Sequence, residues 1–225
     1  MKKLFFFSLL ISSTLVSISQ EIDTIKAKAF GDSAWRAYQT HYFKKSIRLL
    51  DSAIFYGRNK SASLQLKAEA QWFLGWYLEA ANTYEDVLAI YDKNVSGKVF
   101  LGMLYDKAKM PIKAKDSYAS AIMLWESNYV PNRFFEKEEE ANYFLALAFL
   151  RQKKKAYKLI KRLMQEKANI LKKENKFYGW EYGMGYELKS RYTKYLILFD
   201  KSPKQLLEEH FAEYLLPDNI KPLED

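Results

Sequence analysis

Few side chains in this chain are suited to catalysis. His41 and His210 are the two histidines, and cysteine is absent. That excludes disulfides, Cys-ligated zinc or iron–sulfur centres and a thiol nucleophile. A His-dependent triad would have to use one of these two histidines, and His41 has no carboxylate close to it in sequence. Glu138, Glu139 and Glu140 form a carboxylate run, and Glu208, Glu209 and His210 form a second polar cluster. Consecutive residues on a helix diverge around its axis, so neither cluster converges on one substrate. No Walker loop, GxSxG elbow or HExxH motif occurs. The expectation is a non-enzymatic chain that needs no cofactor and no metal, so the chemistry to place is that of binding.

Two kinds of side chain carry that chemistry: cations and aromatics. The net charge is +9, with 36 Lys+Arg against 27 Asp+Glu. Residues 151–176 alone hold eleven Lys+Arg and two acids, so the excess comes from one helix-sized window. Within it, Arg151, Lys153, Lys154 and Lys155 are placed at a turn, and Lys158, Lys161 and Arg162 on the helix that follows, opposite its apolar stripe. Such a run is most often a solvated helix face. As a site, it would attract an anionic polymer, lipid headgroups or an acidic partner. Phosphate contact needs such charges, but the window lacks the interleaved aromatics of a nucleic-acid platform, and the export expected from the N-terminus argues against a nucleic-acid partner.

The N-terminus reads as an address. Lys2 and Lys3 precede a serine-diluted apolar run over 4–18, and Ser17 and Ser19 stand at the −3 and −1 positions of a small-residue cleavage site. This is the pattern of a secretory signal peptide, with a mature start near Gln20. Without a cysteine at the cleavage point, no lipid anchor is expected. No later run reaches the roughly 20 apolar residues of a spanning helix.

The elements that position the remaining residues repeat. The segments 42–54, 76–88 and 110–122 align without gaps. Ser46, Ala80 and Ala114 are 34 apart, as are Leu50, Tyr84 and Tyr118, and Ala53, Val87 and Ala121; Ile54, Leu88 and Ile122 close each block. Small-x3-large-x2-small-large places all four positions on one helix face. Twelve residues before each small residue lies another: Ala34, Ala68 and Gly102. Each unit is therefore a helix, a short turn and a second helix, with Gly57 and Gly97 assigned to the gaps between units.

This pattern, over about residues 27–125, resembles the tetratricopeptide repeat (TPR) family. The third unit matches best, through Leu101, Gly102, Tyr105, Ala114, Tyr118 and Ala121, and Gly75 matches the glycine usual in the turn. Ser46 and Leu50 depart from the usual alanine and aromatic, and the proline that ends a unit is missing; Pro111 instead starts a second helix. The resemblance implies an all-α, right-handed α-solenoid with three repeats within 20–125. Residues 126–176 read as a fourth, divergent pair, with Ala146 and Ala156 in the two small-residue roles and a turn about two residues shorter. Residues 177–225 read as a Gly/aromatic segment and a C-terminal capping pair, begun by Ser202 as cap and Pro203 in the first helical position. Segment 177–186 is read as a packed joint, with a ligand loop as the alternative.

The resemblance further implies a concave groove, lined by the first helix of each unit, that takes a peptide or partner protein. Carried over by register, its positions are Lys28, Trp35, Tyr38 and Gln39; Gln65, Glu69, Trp72 and Phe73; Val99, Met103, Asp106 and Lys107; and Tyr143, Leu147 and Arg151 in the fourth pair. Trp35, Tyr38, Trp72 and Phe73 make this surface aromatic, as interface anchors tend to be. The expected function is an interaction scaffold of a bacterial cell envelope, periplasmic or secreted. The alternative is a basic envelope protein holding an anionic polymer or surface through 151–176.

Overall fold

The computed structural model describes residues 23–57, 60–129, 137–173 and 185–212, and every element in them is helical. They are α1 (residues 23–39), α2 (Phe43–Phe55), α3 (Lys60–Phe73), α4 (Tyr77–Ile90), α5 (Val95–Lys107), α6 (Pro111–Asn128), α7 (Lys137–Phe149), α8 (Lys153–Lys173), α9 (Gly185–Ile197) with a 3-10 turn over Leu198–Asp200, and α10 (Pro203–Ala212). The expected signal segment and most of 177–186 lie outside the described residues.

The described residues form two compact units, one within 23–90 and one within 91–212. The division falls between the second and third repeats, where the sequence grouped all three over 20–125.

In the first unit, α2 packs on α3 and α3 on α4. The sequence period reappears in the backbone. After α1, His41 takes φ +64, and after α3, Gly75 takes +74. The His41 amide donates to the Tyr38 carbonyl and the Tyr42 amide to Ala37; Gly75 and Trp76 repeat this onto Trp72 and Gln71. These paired bonds close the free carbonyls of a helix end around one left-handed residue. The small residues work as expected. Ala34 and Ala68 are fully buried, and the Ser46 hydroxyl donates to the Ala34 carbonyl at 2.9 Å, so serine in place of alanine ties the two helices together. Phe43 and Phe73 stack with centroids 5.0 Å apart.

The second unit repeats the same turns. Lys109 at φ +59 and Arg151 at +57 take the left-handed position, with amide bonds from Lys109 to Asp106, Met110 to Tyr105, Arg151 to Ala148 and Gln152 to Leu147. Pro111 occupies the first turn of α6. Gly97 is not in a gap: it lies in the first turn of α5, where its amide donates to the Asn94 cap at 2.8 Å. Gly102 has a packing role. A Cβ there would lie 2.4 Å from Cε1 of Tyr118. That ring is fixed by its hydroxyl, which donates to Asp106 Oδ2 at 2.8 Å, and by Phe149, stacked at 4.5 Å.

The fourth hairpin corrects the expected register. Its turn is as long as the others, because Ala156 follows Arg151 by five residues as Ala114 follows Lys109. Counted back from the turn, the place of Ala34, Ala68 and Gly102 belongs to Phe144 rather than Ala146. The exchange of a small residue for a large one goes with a new neighbour: Phe144 stacks on Tyr195 of α9 at 4.6 Å. Helices α9 and α10 and the 3-10 turn all pack on α7. Ser202 and Gln205 form a reciprocal capping box, Gln205 N–H to Ser202 Oγ at 3.2 Å and Ser202 N–H to Gln205 Oε1 at 2.8 Å.

Candidate functional site

The seam between the first helices of the first unit, α1 and α3, gathers most of the expected groove residues. Trp35 is 50 % exposed and stacks on Tyr38 at 5.8 Å. The Tyr38 hydroxyl crosses the seam and donates to Glu69 Oε2 at 3.3 Å, and Gln65 Nε2 donates to Glu69 Oε1 at 3.4 Å. Phe73 closes the end against Tyr38, edge-on at 6.0 Å. Burial raises the Glu69 carboxyl above the usual carboxylate range, against the two hydrogen bonds, which lower it. Burial, and then the charge and hydrogen bond of Glu69, raise the Tyr38 hydroxyl, so it stays a donor. Gln39 and Gln65 are exposed. Lys28 is also exposed and lies farther along the seam, lining a cleft of about 360 Å³ with Asp32, Leu50 and Leu66.

Trp72 is the exception. It is 5 % exposed, stacked on Phe73 at 5.0 Å. It is a core residue in the register of a surface residue, and so cannot serve as a contact anchor.

The equivalent positions of the second unit behave differently. Met103 is 7 % exposed and Val99 is fully buried. Asp106 and Lys107 are half-buried. Asp106 is committed to Tyr118, and its carboxyl is raised by burial in spite of that bond. Tyr143 and Leu147 are buried, and Arg151 is the turn residue, its guanidinium donating to the Lys201 carbonyl. In the corrected register the fourth hairpin offers Leu145, Ala148 and Phe149 at these places, all buried. Of the four aromatics expected on the groove, Trp35, Tyr38 and Phe73 remain accessible on the α1–α3 seam, and Trp72 does not.

The basic window is partly consumed by the fold. Lys153 pairs with Asp200 at 3.1 Å, Lys155 with Glu126 at 2.8 Å and Arg162 with Glu166 at 3.6 Å. Lys154, Lys158 and Lys161 are exposed and have no acidic partner among the described residues. Their spacing puts them on one stripe of α8.

His41 is the left-handed turn residue, its ring edge-on to Phe43 at 5.8 Å, and His210 is in the last turn of α10. Among the described residues, no group of three His, Asp or Glu could hold a metal ion. No described helix is long and apolar enough to cross a membrane.

Sequence reasoning missed the cleft between α6, α7 and α8, described below. Trp125 and Tyr129, which help to line it, lie at the end of a helix that runs beyond the repeat pattern.

Fold and site define the class: among the described residues, an all-α protein of repeated helical hairpins, with a C-terminal helical pair packed on the last hairpin. No protein-family model and no curated protein matches the chain. Among solved structures, the crystal structure of MamA protein is similar over 85 % of this chain and 97 % of that one, with 15 % identity and a TM-score of 0.45.

Proposed function

We propose that the protein is a TPR-family interaction scaffold of a bacterial cell envelope, exported by its N-terminal segment, and that it binds a peptide or partner protein on the α1–α3 seam. The observation that carries this is the exposed Trp35, held flat on Tyr38, whose hydroxyl is fixed to a half-buried Glu69. A rigid aromatic beside a partly desolvated carboxylate combines apolar area with a preference for a cation, and such groups dominate interface energetics. The partner chemistry that fits is a segment with an apolar or basic side chain. The export reading is supported by the basic start, the apolar run and the Ser17/Ser19 pair.

The test is affinity purification from the native envelope with wild-type protein, Trp35→Ala and Glu69→Gln. Loss of the same partner in Trp35→Ala, at unchanged helical content, supports the seam. Retention of every partner by Trp35→Ala disproves it.

A second reading is favoured by the stripe of Lys154, Lys158 and Lys161: attachment to an anionic polymer or surface. Such binding falls steeply between low and moderate salt and is lost on charge reversal of the three lysines. If reversal leaves binding intact, this reading fails.

A further inference from the structure

The second unit contains a cleft of about 400 Å³ that faces three cations. Its walls are the C-terminal end of α6, the middle of α7 and one face of α8. Lys155, Lys158, Leu159 and Arg162 line it from α8, and the spacing of three and four residues brings all of them onto one face.

The charges in the cleft do not cancel. Glu126 also lines it, and is satisfied twice: the Tyr143 hydroxyl donates to it at 2.7 Å, and Lys155 pairs with it at 2.8 Å. Glu166 beside the cleft is satisfied in the same way, by the Tyr129 hydroxyl and by Arg162. The Arg162 guanidinium is further fixed 4.3 Å above the Tyr129 ring. Burial pushes the Tyr129 hydroxyl up to about 12 and raises that of Tyr143, so both keep their protons and go on donating. The acids are thus used up by neighbours. Lys158 lines the cleft with no acidic partner among the described residues, and Arg162, which faces Glu166 through Nε and also hydrogen-bonds the Tyr129 hydroxyl, has further N–H groups among its five. Leu159 and the buried Trp125–Tyr143 pair, with ring centroids 4.1 Å apart, give the rest of the lining an apolar character. The volume is that of a small-molecule site.

We infer that this cleft is a binding site for a small organic anion, a carboxylate or phosphate carried on a ring or short apolar group. The anionic oxygens take Lys158 and Arg162, and the apolar part lies against Leu159 and the aromatic lining. The inference is independent of the α1–α3 seam.

Isothermal titration of the full chain with benzoate, phenyl phosphate, inorganic phosphate and phenol tests it. Saturable binding of benzoate or phenyl phosphate is expected, tighter than that of inorganic phosphate or phenol; which of the two binds identifies the head group. Lys158→Gln should weaken that binding by about tenfold, the loss of one charge-assisted hydrogen bond. Lys154→Gln, on the same helix but outside the cleft, should leave it unchanged. Both lysines are exposed, and circular dichroism verifies that the variants stay folded. If none of the four probes saturates, or if the two variants weaken binding equally, the site does not exist.

Discussion

The first-helix faces of the two units occupy the same register and have opposite fates. Six residues before the turn, the first unit has Trp35, 50 % exposed, and the second has Met103, 7 % exposed. Three residues before the turn, Tyr38 reaches from its own hairpin to Glu69 of the next, whereas Asp106 accepts Tyr118 from within its own hairpin. Both carboxylates are raised by burial, Glu69 on a seam that is still open, Asp106 against a tyrosine sandwiched by Phe149. The repeat register therefore fixes where a side chain stands on its helix. What packs over it decides whether it is available. In the second unit α7 is covered by α9, α10 and the 3-10 turn, and the corresponding Leu145, Ala148 and Phe149 are core residues.

The largest expected effect is that of Trp72→Ala. If Trp72 belongs to the core, the change leaves a cavity and costs about 3–5 kcal/mol in chemical denaturation. A cost below 1 kcal/mol would return Trp72 to the surface and extend the open face.

Gly102→Ala comes next. The added methyl meets a ring held at two ends, so overpacking should cost about 1–3 kcal/mol. Gly31→Ala is its counterpart in the first unit. It lies within α1 with nothing within 4 Å of the new Cβ, and should stabilise by up to about 1 kcal/mol. Equal effects at the two glycines would mean that the Tyr118 ring is not fixed.

A smaller effect separates the two carboxylates from ordinary surface acids. A carboxyl raised in the folded state binds its proton more tightly there than in the unfolded chain, so its contribution to stability falls as pH rises from its ordinary value through the raised one. Glu69→Gln removes that slope. Its urea midpoint should gain on wild type at pH 7 more than at pH 5. An equal difference at both pH values would show that Glu69 is not desolvated.

The smallest expected change in stability is that of Trp35→Ala. Removing a half-exposed ring should move stability by no more than about 0.5 kcal/mol, while partner capture is lost. A large loss of stability would turn Trp35 from a contact residue into a packing residue and remove the contrast between the two units.

Much of the architecture was legible because steric packing leaves a periodic trace. Small residues must recur where two helices cross, and large ones where they fill the space between them. The run from Ala34 to Ile122 carries that trace at a constant interval. The turns were less visible, since three of the five left-handed positions among the described residues are His41, Lys109 and Arg151 rather than glycine. In the fourth hairpin the interval from Lys109 to Arg151 is 42 rather than 34 residues, and Phe144 replaces the small residue. The small residue Ala146 lies two positions from that place.

By itself, the sequence determined the helical class, the period, the caps at Pro111 and Ser202 and the concentration of positive charge in one window, because each follows from local sterics, backbone hydrogen bonding or simple counting. Only the tertiary structure decided that Trp72 and Met103 are buried while Trp35 is open. It also decided that Arg151, Lys153, Lys155 and Arg162 are held within the fold while Lys154, Lys158 and Lys161 have no acidic partner among the described residues. Exposure and pairing depend on neighbours distant in sequence, such as Asp200 for Lys153 and Glu126 for Lys155, and no local pattern encodes which of them arrive.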